Sequence, residues 1–234
     1  MVNARETSPV IYARIGGILY LIIIVSGISS EALIRSSLVV TGDATATATN
    51  ILASPLLFRI GFASDTIMLF SDVAIAVVLY FLLKPVSNIL ALAAAAFRLT
   101  QAAILGFNLL NYYAALLLLS GAGYVQAFEP DQLHALATLF LDMHSHGYDL
   151  GLLFFGLSNL ILGYLVVKSD YFPDFLGYGL TAAAVVYLVG GYIRFLWPGY
   201  ASVIEPVYII PLAAESAFCI WLLVKGVRVR TEAS

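Results

Sequence analysis

At 234 residues the chain is 62% hydrophobic and 11% charged, with a mean hydropathy of +0.97. Soluble domains carry about a quarter charged residues, so composition excludes a soluble globular protein. A net charge of −3 with no basic patch argues against nucleic acid as a partner, and the single cysteine, Cys219, rules out an internal disulfide.

A helix needs roughly 20 apolar residues to cross the hydrocarbon core of a bilayer. Six segments reach that length, approximately 12–33, 56–83, 87–119, 137–167, 175–197 and 204–224. They predict an all-α fold: one domain over residues 1–234, an integral membrane bundle of six transmembrane helices. Arg5 and Arg14 near the start of the first segment, and Ser29 and Ser30 near its end, give it the look of a signal peptide. Its apolar stretch from Ile15 to Ile34 is longer than an h-region of about 7–15 residues, and it reads as an uncleaved helix. Residues 35–54 contain the run Thr41-Gly42-Asp43-Ala44-Thr45-Ala46-Thr47-Ala48-Thr49, a loop by composition. Lys84-Pro85 parts the second and third helices, and residues 120–136 form the other long connector. Lys168 to Asp174 parts the fourth and fifth, and Trp197-Pro198-Gly199 ends the fifth.

One set of helix ends carries Arg5, Arg14, Lys84, Lys168, Lys225, Arg228 and Arg230, and the other only Arg35, beside Asp43, Glu129 and Asp131. Positive charge gathers on the cytoplasmic side, so both termini are expected there and the two long connectors outside. The setting expected is the plasma membrane. Tyr12, Tyr112, Tyr113, Trp197 and Trp221 lie near segment ends and suit interfacial belts.

Counting about 1.5 Å per residue from the cytoplasmic ends puts Asp72, Arg98, Gln101 and Glu215 near mid-membrane. Glu31, Asp65, Asn108, Asp149, Arg194 and Glu205 come out further toward the outside, and Arg59, Asp142, His144 and His146 at or beyond the outer boundary. Asp65 and Asp72 share a helix face, as do Arg98, Gln101, Asn108 and Tyr112, and Glu205, Tyr208 and Glu215 form a broader stripe. On the fourth helix Asp142, His146, Asp149 and Asn159 align, with His144 pointing nearly opposite. Seven carboxylates (Glu31, Asp65, Asp72, Asp142, Asp149, Glu205, Glu215) then face three arginines, Arg59, Arg98 and Arg194. Carboxylates in excess inside a bilayer must hold protons or coordinate a cation. Any single residue is as well explained by structural ion pairing or by amide hydrogen bonds between helices. Together the twelve residues Glu31, Asp65, Asp72, Arg98, Gln101, Asn108, Asp142, His146, Asp149, Arg194, Glu205 and Glu215 predict an outward-facing polar cavity.

No cofactor is evident, and the candidate the spacing leaves is a divalent metal on His146, Asp149 and Glu205, the three-ligand arrangement that activates water. Ser158 and Ser216 lie in no nucleophile motif, all three lysines sit at helix ends, and no phosphate-binding glycine loop occurs.

The stretch from Phe140 to Leu157, Phe-Leu-Asp-Met-His-Ser-His-Gly-Tyr-Asp-Leu-Gly-Leu-Leu-Phe-Phe-Gly-Leu, continues to Gly163-Tyr164-Leu165 and the Ser169 to Gly177 connector. With the opening Ala13-Arg14-Ile15-Gly16-Gly17-Ile18-Leu19-Tyr20-Leu21, it resembles the bacterial and archaeal membrane proteins grouped as domain of unknown function 4386. The resemblance implies a multi-pass membrane protein and carries over no activity and no functional residue. The expected role is binding or moving a small ligand or ion. The alternatives are a membrane-embedded hydrolase using a metal or paired carboxylates, and a membrane scaffold or interaction subunit. The expected partners are the lipid bilayer and a small ligand or cation, with self-association left open.

Overall fold

The computed structural model describes residues 8–228, and Arg5 and Arg230 of the charge count lie outside them. Helices α1 (Pro9–Leu38), α3 (Pro55–Leu83), α4 (Asn88–Leu119), α5 (Pro130–Lys168), α6 (Asp174–Leu196) and α7 (Pro198–Val224) are long and apolar enough to span a membrane. A seventh, shorter helix is α2 (Ala44–Ala53). The described residues contain no strand.

The exposed faces of the spans are themselves apolar. In no span is more than 50% of the most apolar window buried, and Leu33, Phe70, Ile89 and Phe107 are all more than half exposed. Water would penalise such a surface, whereas lipid tails solvate it at no cost.

By contacts the chain falls into two compact units, each assembled from separate stretches. The first draws on residues up to Leu21, on Ser71–Gln101 and on the chain from Leu152 onward; the second consists of Ile22–Phe70 and Ala102–Gly151. In the first unit, small residues set the helix spacing. A Cβ on Gly163 would lie 2.7 Å from the Gly177 carbonyl oxygen, and one on Gly177 2.6 Å from that of Gly163. Backbone therefore meets backbone where α5 crosses α6, the close approach that glycine permits in membrane helices. Gly17 of α1 lies equally close to Leu223 of α7. In the second unit, Ile34, Leu38, Ala48, Ile51, Phe58, Tyr112, Ala115, Leu116, Ala137 and Leu141 form one apolar cluster.

Three expectations are corrected. The alanine–threonine run is helical from Ala44, because Asp43 caps it by accepting the Ala46 N–H at 2.8 Å. Thr47 is buried there, its hydroxyl accepting the Val40 N–H at 2.9 Å, and Ala48 and Ile51 pack into the apolar cluster. Composition could not reveal a cap. Helix α5 begins at Pro130, seven residues before the expected 137, with the Gln132 side chain accepting the Glu129 N–H at 3.1 Å. Those first turns are polar, so an apolar window misses them. Tyr112 is fully buried rather than interfacial, its hydroxyl donating to the Phe58 carbonyl at 3.1 Å.

An N-cap is worth about 1 kcal/mol. Asp43→Ala should therefore destabilise the second unit by roughly that amount and speed amide hydrogen exchange in the first turn of α2, leaving α6 unchanged. Exchange mass spectrometry of the purified protein checks it.

Candidate functional site

All six spans contribute to one buried polar node in the first unit. Arg98 of α4 donates to Asp72 Oδ1 of α3 through Nη2 at 2.6 Å and Nε at 3.0 Å, and Gln101 Nε2 donates to Asp72 Oδ2 at 3.3 Å. The guanidinium also lies against two aromatic rings, 4.8 Å from the centroid of Phe155 (α5) and 5.3 Å from that of Tyr20 (α1). The Tyr20 hydroxyl comes up to Arg98 without forming a well-made hydrogen bond. Phe155 packs on Tyr187 of α6 at 5.3 Å, and the Tyr187 hydroxyl bonds the Glu215 carboxylate of α7. Asn159 Nδ2 of α5 donates to Glu215 Oε1 at 3.0 Å. Asp72 and Arg98 are thus the level pair that depth counting anticipates.

Besides the Tyr20 hydroxyl, two kinds of atom in this node stay unsatisfied. Gln101 Oε1, Asn159 Oδ1 and Arg98 Nη1 are buried without a hydrogen-bond partner among the described residues. Each amide points its NH₂ at a carboxylate, which fixes its orientation and leaves the carbonyl oxygen as the open end. Glu215, 7% exposed, forms no ion pair with a described residue, and Arg98 acts on it only at longer range.

A second cluster lies within the second unit, around Arg35. From Ser29 to Arg35 the helix α1 widens to π geometry. In an α-helix, residues five apart point about 140° away from each other, whereas the i→i+5 turn stacks them. Arg35 Nη1 accordingly reaches Ser30 Oγ at 2.8 Å and Asp65 Oδ2 of α3 at 2.6 Å, while Nε holds Glu31 Oε2 at 2.7 Å. The guanidinium lies 5.7 Å from the Tyr112 ring centroid. Asn108 of α4 donates to the His144 carbonyl of α5 at 2.7 Å, and Gly147 makes the room, since any Cβ there would collide with the Asn108 carboxamide.

The sequence expectations divide along these lines. Asp72, Arg98, Gln101 and Glu215 meet in the first node, and Asp65 and Asn108 belong to the second cluster with Glu31, which is exposed at its rim. Arg35, expected as an outer-loop charge, is instead buried and paired. Its signal was its distance of four from Glu31 and five from Ser30. The inward stripe of α5 runs through Ala137, Leu141, His144, Gly151, Phe155, Ser158 and Leu162. His144 is therefore the buried histidine, and Asp142 and His146 are exposed, with His146 Nδ1 2.8 Å from the Asp142 carbonyl oxygen. A polar stripe at the outer end of a span can face water, and the apolar period was the better guide. Asp149 and Arg194 are half-buried, and Glu205 and Arg59 exposed. Among the described residues no three His, Cys, Asp or Glu side chains gather closely enough to hold a metal, the trio His146, Asp149 and Glu205 included.

Six spans with apolar exposed faces and paired buried charges define a multi-pass α-helical membrane protein. The chain belongs to the family described as domain of unknown function (DUF4386), in a match running over residues 15–226. An uncharacterized protein of Archaeoglobus fulgidus is similar, 33% identical over 155 residues that cover 66% of this chain and 76% of that protein. No solved structure matches the chain.

Removing one member of a buried ion pair strands the other and costs about 3–5 kcal/mol. Asp72→Asn and Arg98→Gln should each destabilise the protein on that scale, and the double variant should recover much of the loss. A thermal-stability cycle in detergent reads the coupling; strictly additive losses would contradict the pairing.

Proposed function

We propose that the protein binds a small hard cation at the node in the first unit and moves it within the plasma membrane. The observation that carries this reading is a charge count. Among the described residues Asp65, Asp72 and Glu215 are buried carboxylates, while Arg35 and Arg98 are the buried arginines. Each arginine takes one aspartate, so the surplus is Glu215. A carboxylate inside a bilayer must hold a proton or meet a counter-charge, and ionisable residues there mark ion pathways. The open oxygens of Gln101 and Asn159 lie in the same node. Carboxylate and amide carbonyl oxygens form the donor set that suits hard cations such as sodium rather than soft metals.

A cavity of about 10 Å³ touches Arg98 and Ser158, room for roughly one water, and borders none of Glu215, Gln101 and Asn159. A wider groove, near 350 Å³, is lined by Ile193, Trp197, Tyr200, Val203 and Ile204 and contains none of the buried charges. A purely structural role accounts for Asp72 with Arg98 but leaves Glu215 and the two open amides unexplained.

In the proposed orientation both termini are cytoplasmic. Arg14, Lys84, Lys168, Lys225 and Arg228 lie toward one set of helix ends, against Arg59 and Arg194 toward the other, and Arg35 no longer counts as a loop charge. Cysteines introduced at Thr45 should be labelled by an impermeant maleimide in intact cells and those at Asp170 should not; the reverse pattern would invert the topology.

A ligand at a hundredfold excess over its Kd stabilises a protein by about 2.7 kcal/mol. Sodium chloride should therefore raise the melting temperature of the purified protein above that in choline chloride of equal ionic strength. Glu215→Gln and Asn159→Leu should abolish the difference, and Glu31→Gln, at an exposed site, should keep it. If neither sodium, lithium nor potassium stabilises the native chain, the cation reading fails.

A further inference from the structure

In the second unit, Asp65 uses only half of its carboxylate. Oδ2 accepts the Arg35 Nη1 hydrogen bond at 2.6 Å, while Oδ1 is buried with no partner among the described residues. The residue as a whole is 2% exposed. A small cavity of about 10 Å³ lies beside it, lined by Asp65, Asn108, His144 and Tyr148 together with four apolar side chains. That volume matches one water, and a water is held in a protein interior when polar groups surround it.

The other polar walls narrow down which groups such a water would join. Each end of the Asn108 amide already holds one partner, Nδ2 donating to the His144 carbonyl at 2.7 Å and Oδ1 accepting from Asn111 Nδ2 at 3.0 Å. The His144 imidazole packs against the Tyr112 ring at a centroid distance of 5.3 Å and borders the cavity. His144 is 5% exposed, so its ring is shielded from bulk solvent. Asp65, with one carboxylate oxygen lacking a partner, and His144 thus line one water-sized space, and an imidazole can both give and take a proton.

We propose that one water in this cavity joins the His144 imidazole to Asp65 Oδ1, and that the second unit binds and passes a proton through the pair. In the step, an N–H bond of the imidazolium breaks as its proton goes to the water, and the water releases a proton to Asp65 Oδ1. Imidazolium and carboxylate become imidazole and carboxylic acid, with the water restored and the net charge unchanged. The charged and titratable groups facing the pair are Glu31 and Arg35 of α1, Tyr112 of α4 and Tyr148 of α5. Once Asp65 is neutral its hold on Arg35 slackens, and the guanidinium keeps its other bond, to the exposed carboxylate of Glu31. The proton state of the cavity is thereby reported at the protein surface. This site does not rest on the cation site of the first unit.

The test uses the full chain in lipid nanodiscs. Infrared difference spectra across a pH series should contain one carboxylic C=O band that shifts in D₂O, disappears in Asp65→Asn and survives in Glu215→Gln. His144→Gln should displace the pH at which that band appears. Should His144→Gln fold poorly, ¹⁵N-histidine spectra of the native chain replace it: the His144 ring must change in the same pH step as the carboxyl band. A band that ignores His144, or no band attributable to Asp65 at any pH, overturns the proposal. Sodium stabilisation retained in Asp65→Asn would keep the first node's reading intact whichever way this result falls.

Discussion

A bilayer offers no water to a charged side chain, and the Asp72–Arg98 pair is where this chain meets that constraint most directly. Both groups are almost wholly buried, and desolvating them costs several kcal/mol per ion before any attraction is counted. The pair survives because each partner is held from several sides. Asp72 receives three hydrogen bonds, two from Arg98 and one from Gln101, and Arg98 adds the faces of Phe155 and Tyr20. Those residues come from α1, α3, α4 and α5, so the helices that deliver them are fixed relative to one another within the first unit. Glu215 and Asn159 are then oriented by what is left over.

Arg35 solves the same problem by a different backbone route. It too binds a buried aspartate and lies against a tyrosine, but its second carboxylate, Glu31, is exposed at the protein surface. Its position depends on the π turn from Ser29 to Arg35. Removing one residue there would restore α-helical phase and rotate everything beyond it by about 100°, carrying the guanidinium away from Asp65. Widened turns of this sort recur at functional sites in other proteins, where they aim a side chain that a regular helix would misdirect.

Much of this was legible in the amino-acid order, and what was not has identifiable causes. Six apolar runs predict six spans because hydrocarbon imposes a length, and the level of Asp72 with Arg98 follows from helical rise alone. The π turn was invisible because hydropathy carries no information about hydrogen-bond register, and so Arg35 looked like an outer-loop charge. His144 was assigned to the wrong face because polar residues near a span's end can face either protein or water, whereas Ala137, Leu141, Gly151 and Phe155 can only face inward together. The helix α2 depended on a single cap at Asp43, which no compositional average detects. The open oxygens of Gln101 and Asn159 could not be read from sequence at all, since they exist only once both amides have been turned by their carboxylates.

The exposure of Glu31 has a consequence for how the two arginines experience the surroundings. Its side chain is 73% accessible, whereas those of Asp72 and Arg98 are at most 3%. Mobile ions attenuate interactions between exposed charges over roughly 8–10 Å near physiological ionic strength, and leave buried pairs almost untouched. Arg35 is therefore tethered at one end to a charge that dissolved salt can shield, and Arg98 to none. Along one chain, one guanidinium is tied to a charge at the protein surface while the other is held wholly inside.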